Sequence, residues 1–387
     1  MPSISHGGPA SASSLHIPPY TVKTTNQVLR YEGNRINQYR LGEKIGKGQN
    51  GTVITATMDN DDETETVAIK FVRRESRQGK TNKRYELLRQ KNFPRSENHT
   101  TVGDAIHSEE NRIRKEIAVM KKLFHPHIVQ LYEVLDDRLI QTIYLVMEYC
   151  EGGEVEWKDH NNQPTSSLEQ TRRIMRDAIQ GLDYLHTQGI IHRDIKPANL
   201  LWTKDRAHVK IADFGSAHFS YAQRLGALGG AAANGDDPND DKLFWDDKAL
   251  AKKAGTPMFM APEVIFDSVF REPEDVEPEQ PITKAIDVWS LGVTFYCLLF
   301  GDVPFHNTDG GLTGEFQIYR LIHNEEWEPR EFMGREQIPT QLGKEDEDSE
   351  PGIILHLLYH FLEKYVTHRI TLDEVKVRWS VVHMAQN

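Results

Sequence analysis

Cysteine is nearly absent: of 387 residues only Cys150 and Cys297 carry a thiol, and each sits inside an apolar run. Their spacing excludes a cysteine-rich metal site, a disulfide between them is not expected, and the pair suits buried thiols in a reducing compartment. Long apolar runs are missing as well. The longest, Gly292 to Phe300, falls far short of the ~20 residues that a membrane-spanning helix needs, and no charged, then apolar leader opens the chain. Net positive charge is the third absence. Lys and Arg total 46 against 58 Asp and Glu, a formal charge of −12, so there is no general attraction to phosphate backbones or anionic lipid. Neither nucleic acid nor membrane is expected as a partner, and the expected location is cytoplasmic, extending to the nucleus.

What is present is an ordered change of character along the chain. Residues 1–36 are rich in Ser, Pro, Gly and Asn and read as a flexible tail that cannot repay its ordering entropy. From Tyr39 short β-rich runs follow: Tyr39 to Ile45, Gly51 to Met58, Thr66 to Val72, Leu131 to Leu135 and Ile143 to Met147. One helix interrupts them over Glu110 to Leu123, with Ile113, Ile117, Met120 and Leu123 at helical spacing. After Met147 helical periodicity dominates, over Ser167 to Thr187, Ala285 to Phe300, Glu315 to Asn324 and Ile353 to Tyr365. The expected organisation is a β-rich lobe over 37–149 carrying a basic insert at 73–108, then a helical lobe over 150–383 with loops at 226–248, 267–281 and 343–352.

Four motifs lie on this plan in a fixed order. Gly46-Lys47-Gly48-Gln49-Asn50-Gly51-Thr52-Val53 joins two strand-like runs, where glycines let backbone N–H groups approach phosphate oxygens; a strand, not a helix, follows, which argues against a dinucleotide-binding turn. Val67-Ala68-Ile69-Lys70 puts a cation on the next strand, and Glu116, flanked by Ile113 and Met120 on its helix, is a better partner for it than Glu109 or Glu110. His192-Arg193-Asp194-Ile195-Lys196-Pro197-Ala198-Asn199 combines a carboxylate to accept or orient a hydroxyl proton (Asp194), a cation for a moving phosphoryl group (Lys196) and an amide to ligate Mg²⁺ (Asn199). Asp213-Phe214-Gly215 follows with the second Mg²⁺ ligand, Asp213. Met260-Ala261-Pro262-Glu263 comes next, with Arg369 as the natural ion-pair partner of Glu263.

Together these residues resemble the protein kinase superfamily from Tyr39 to about Val382. The resemblance implies an α+β class, the bilobal protein kinase fold with a small β-rich N-lobe, one key helix and a larger, mainly helical C-lobe. ATP and Mg²⁺ are the implied cofactors, and protein Ser/Thr hydroxyls the substrate. It further implies Met147 as gatekeeper, Glu148 to Cys150 as the adenine-binding hinge, and Glu154 where ribose or a substrate arginine is contacted. Val53, Ala68 and Leu201 would sandwich the adenine, with Ile45 at the mouth of the glycine loop. Met120, Leu131, His192 and Phe214 would form the apolar column linking the lobes, with Asp287 at its base. Lys196 and Gly255-Thr256-Pro257 resemble the Ser/Thr class, with Thr256 bonding Asp194 and Lys196.

A closer resemblance is to the calcium/calmodulin-dependent protein kinase kinases and the fungal kinases that activate the AMP-activated kinase. It rests on Asn37-Gln38-Tyr39, Phe93-Pro94-Arg95, Glu116-Ile117-Ala118, Tyr132 to Asp137, Gly255 to Glu263 and Ile286-Asp287-Val288-Trp289. The implied substrates are other kinases. The sequence departs from that pattern in two ways: no basic amphipathic helix for calmodulin follows Trp379, and Ala198 stands where arginine-directed kinases often carry an acid. The insert, basic from Arg73 to Arg95, offers a docking patch for an acidic substrate or is simply a solvated loop. Between Ala222 and Gly255 there is no Ser, Thr or Tyr, so Asp246 or Asp247 could serve Arg193 as a permanent anion. A catalytically dead scaffold with this fold would lack Lys70, Asp194, Asn199 or Asp213, and all four are present.

Overall fold

The computed structural model describes residues 22–26, 28–48, 51–60, 63–74, 102–137, 139–220, 250, 254–269, 280–306 and 314–384. An eight-stranded sheet forms one lobe, in the order β1-β7-β8-β6-β5-β4-β3-β2. Its long strands are β4 (Tyr39–Gly48), β5 (Gly51–Asn60) and β6 (Glu63–Arg73), followed by β7 (Leu131–Asp136) and β8 (Thr142–Glu148). Helix α1 (Val102–Lys121) packs on this sheet and starts earlier than Glu110, so it takes up the end of the expected insert. Residues 75–101, the bulk of that insert, lie outside the described residues.

Period-two alternation on β6 sorts two functions onto its two faces. Val67 and Ile69 enter an outer apolar cluster with Tyr39, Ala56 and Val146, while Ala68 and Lys70 face the cleft between the lobes. The outer cluster also contains Leu29 and Ile36, which corrects the reading of 1–36 as a flexible tail. From Val22 onward this segment is structured: β1 (Lys23–Thr25) pairs in parallel with β7, and β2 (Tyr31–Glu32) and β3 (Arg35–Ile36) extend the opposite edge beside β4. Backbone pairing, backed by the widely spaced apolar side chains of Val22, Leu29 and Ile36, orders a stretch whose composition alone argues against order. Residues 1–21 lie outside the described residues.

The second lobe is built around α4 (Ala285–Phe300), buried on all sides from Ile286 to Phe300 and closed by Gly301 in the left-handed conformation at φ 65°. Around it stand α2 (Leu168–Thr187), α3 (Pro262–Val269), α5 (Glu315–Asn324), α6 (Gln341–Glu345), α7 (Glu350–Phe361) and α8 (Leu372–Met384). Helix α2 starts at a capping box in which Ser167 and Gln170 each serve the other's backbone N–H. Of the loop expected at 343–352 only Asp346 to Ser349 is a connecting turn; the residues before it end α6 and those after it begin α7, with Gly343 and Gly352 buried. Ser349 caps α7 by accepting from the Gly352 N–H, and Pro351 sits in its first turn, a start signal hidden among acidic residues. The loop expected at 267–281 loses its first three residues to α3, and 270–279 and 226–248 lie outside the described residues. Cys150 and Cys297 are both buried and unbonded. Among the described residues no helix is long and apolar enough to cross a membrane.

Candidate active site

The lobes enclose a cleft of about 790 Å³. Strand β6 delivers Lys70 into it, buried, with Nζ 2.6 Å from Glu116 Oε1 of α1 and 2.9 Å from Asp213 Oδ1. Burial would lower the Lys70 pKa, but the Glu116 and Asp213 carboxylates outweigh it and raise it, so the ammonium is held charged. Burial would likewise raise Asp213, and Lys70 overrides that and brings it down to about 2. Of the three candidate partners for Lys70, Glu116 is the one in place, while Glu110 pairs with Arg114 along α1. Asp213 itself sits in the left-handed region at φ 60°, a conformation Asp tolerates, and accepts from the Gly215 N–H at 3.4 Å.

Opposite Lys70, the Asp194 carboxylate is bound on both oxygens. Oδ1 accepts from the Thr256 N–H at 2.9 Å and the Thr256 hydroxyl at 2.8 Å; Oδ2 accepts from Lys196 Nζ at 2.7 Å and Asn199 Nδ2 at 3.0 Å. Lys196 Nζ also donates to the Thr256 hydroxyl at 2.7 Å, closing the network. Asn199 Nδ2 donates in addition to the Asp194 carbonyl at 2.7 Å, which fixes the amide and leaves its Oδ1 as a cation ligand. Gly255, at φ 102°, lets Thr256 come this close: a Cβ there would stand 2.3 Å from the Arg193 carbonyl oxygen.

Asp287 of α4 holds the loop that carries Asp194. Fully buried, it accepts from the His192 N–H at 2.8 Å, the Arg193 N–H at 2.7 Å and His186 Nε2 at 2.9 Å. Burial would raise its pKa, but His186 and these donors lower it. Those bonds hold Arg193 at φ 68°, a strained value for a non-glycine residue. Met120, Leu131, His192 and Phe214 are all buried, the His192 and Phe214 rings 5.2 Å apart. At the far end of the segment Arg369 forms a bidentate pair with Glu263 at 2.7 and 2.9 Å, lies over the Trp289 ring and is fully enclosed.

The cleft brings together Ile45, Gly46, Lys47, Gly51, Val53, Ala68, Met147, Glu148, Cys150, Glu154 and Leu201, beside Lys70, Glu116, Asp194, Lys196, Asn199, Asp213 and Thr256. Gly48 stands apart from the lining, paired with Gly51 near the hairpin tip. Burial, then the Glu148 charge, pushes the Cys150 thiol up to about 12, so it is a wall and not a nucleophile. One pair has no sequence signal: Lys210 Nζ of β9 (Val209–Ile211) meets Glu148 Oε1 at 2.7 Å and ties the segment joining the lobes to the strand that leads into Asp213. Among the described residues His127, Asp177 and His208 also cluster, away from the cleft. Their facing atoms already bond one another and the Val209 backbone, so the group is a structural clasp. Asp246 and Asp247, the candidate anions for Arg193, lie outside the described residues.

A sheet lobe over a helical lobe, with a lysine pinned by two acids facing a loop aspartate bound to lysine, threonine and asparagine, defines a phosphotransferase cleft of the protein kinase class. The family described as the protein kinase domain matches residues 99–379, and the chain belongs to that family. It is 36% identical over 366 residues to serine/threonine-protein kinase ssp1 of Schizosaccharomyces pombe, covering 93% of this chain and 45% of that protein. It is 36% identical over 388 residues to SNF1-activating kinase 1 of Saccharomyces cerevisiae, covering 95% and 30%. Identity to the calcium/calmodulin-dependent protein kinase kinase of Caenorhabditis elegans is 34% over 293 residues, covering 76% and 46%. The chain thus spans less than half the length of these relatives.

Proposed function

We propose that this chain is a Ser/Thr protein kinase that transfers the γ-phosphoryl group of Mg·ATP to Ser or Thr hydroxyls on activation loops of other kinases, such as the AMP-activated protein kinase. The observation that carries the reading is the facing pair of networks: Lys70 held by Glu116 and Asp213, and Asp194 held by Lys196, Asn199 and Thr256, across one cleft. The donor set fits the reaction's cofactors. Asp213, kept anionic, and the free amide oxygen of Asn199 are hard oxygen ligands suited to Mg²⁺, and Val53, Ala68 and Leu201 give an apolar slot for a purine.

When bound, Mg·ATP supplies the phosphoryl group and the cations that neutralise it. The chain's residues contribute position and charge. Lys70 would hold the α and β phosphates, its orientation set by Glu116. Asp194 orients the incoming hydroxyl and receives its proton, while Lys196 offsets charge on the phosphoryl group in transit. Thr256 links the end of the activation segment to both, so the substrate platform and the acid–base residue move together. Support for other kinases as substrates comes from what the relatives are named for, activating SNF1 in one case and acting on calmodulin-dependent kinases in another. Incubating the purified chain with Mg·ATP and a panel of kinase activation-loop proteins tests this. Phosphate on an activation-loop Thr, at about 1–100 turnovers per second on a good substrate, is expected; labelling confined to Tyr, or equal labelling of unrelated peptides, contradicts it.

A further inference from the structure

We infer that the strand ahead of the glycine hairpin, Val22 to Thr25, is a positioning strap for helix α1 and so for Glu116. The inference rests on the kinase reading for its consequence, not for its geometry. Strand β1 lies alongside β7 in parallel register, Lys23 opposite Glu133 and Thr25 opposite Leu135. Without it, β7 would be an open edge. Two side chains, Val22 and Thr24, tie this pairing to the helix, and a third, Thr25, ties it to the sheet. Val22 is buried in the same apolar cluster as Ile113, Val119 and Met120 of α1. Thr24 Oγ1 accepts from Lys121 Nζ, in the last turn of α1, at 2.7 Å. Thr25 donates to Glu133 Oε1 at 2.5 Å, and that carboxylate also accepts from Tyr39 OH at 2.7 Å and Gln38 Nε2 at 3.0 Å at the start of β4.

The segment then crosses the sheet's outer face, where Leu29 is buried and its N–H donates to Asp137 Oδ2 at 3.1 Å, and ends as β2 and β3 on the opposite edge. It is therefore a belt fixed at both edges of the sheet, with one end on α1. Glu116 lies five residues before Lys121, about 7.5 Å along the helix axis, on a helix whose swing would break the 2.6 Å contact with Lys70. An element that fixes the last turn of α1 to the sheet restrains that swing. The catalytic unit accordingly extends back at least to residue 22, ahead of the glycine hairpin by more than twenty residues.

The test compares Val22→Asp, which puts a charge into the apolar cluster, Thr25→Val, which keeps the shape and loses the Glu133 bond, and Val28→Asp, a control at a position 69% exposed. Amide hydrogen exchange over residues 113–121 is read without nucleotide, beside kcat well below the melting temperature. In Val22→Asp, exchange over 113–121 is expected to rise and kcat to fall, each about tenfold, and a peptide of residues 20–32 added in trans is expected to restore both. Thr25→Val should show the same shifts in smaller measure and stands in if Val22→Asp fails to fold; Val28→Asp should match the unaltered chain. Wild-type exchange and kcat in the strap variants, or a rise spread evenly over the whole sheet lobe, overturns the inference, as does failure of the peptide to restore either. If the unaltered chain phosphorylates nothing, the kinase reading fails, and the exchange and peptide arms still decide this one.

Discussion

Asp194 receives four hydrogen bonds on its two carboxylate oxygens, and their geometry makes it an orienting group with a fixed aim. Asp194→Asn keeps the shape and removes the proton acceptor, so kcat should fall by about 10²–10⁴ while nucleotide affinity, measured by titration, stays near wild type. Asp213 gives a pH signature. Its folded pKa, about 2, lies below the ordinary aspartate value of about 3.9, so the Lys70–Asp213 contact contributes fully above the ordinary value and is lost as pH falls through the folded one. Melting curves of wild type and Asp213→Asn should therefore differ most above pH 4 and converge toward pH 2; a difference that grows on acidification contradicts the assignment. Most of these residues are legible in the sequence because the chemistry packs them into short strings. Lys210 is not: its partner Glu148 is sixty-two positions away, and an isolated lysine on a strand has no pattern to mark it.

At the level of elements, the activation segment is fixed at its C-terminal end by two devices. Gly255 passes within touching distance of the catalytic loop, and Gly255→Ala, strained at φ 102° and clashing with the Arg193 carbonyl, should push Thr256 away from Asp194. A displacement of about 1 Å there is worth about 10²-fold in kcat, with the melting temperature as a check that the lobe remains folded. The second device is the enclosed Glu263–Arg369 pair. Arg369→Ala leaves a buried carboxylate without its partner and should cost about 3–5 kcal/mol in urea unfolding; Arg369→Lys, which keeps the charge but loses the two-pronged fit, should cost less. Elements with strong periodicity, such as α2, α4 and α5, stand where the spacing puts them. The misreadings fall where composition misleads: residues 22–36 look too polar to fold but are ordered by main-chain pairing, and 343–352 looks like an acidic loop but hides a Ser-capped helix start.

For the molecule as a whole, the sheet lobe is held closed by a segment from outside the motif-bearing core. Leu29 and Ile36 shield one face of the sheet, and burying each is worth about 1.5–3 kcal/mol. A chain starting at residue 37 should therefore show a lower urea midpoint than one starting at residue 20, and equal midpoints would show that the belt adds no stability. The order of motifs along the chain makes the bilobal plan and the cleft legible; the belt is not, because long-range pairing of short polar strands leaves no local period. Phosphoryl transfer by this cleft is put to the proof by supplying the purified chain and its Asp194→Asn variant with γ-labelled ATP, Mg²⁺ and a kinase activation-loop substrate, then identifying the labelled residue. Phosphothreonine or phosphoserine is expected with the unaltered chain, and a signal lower by orders of magnitude with the variant. No label on any polypeptide, or equal labelling by both, would contradict it.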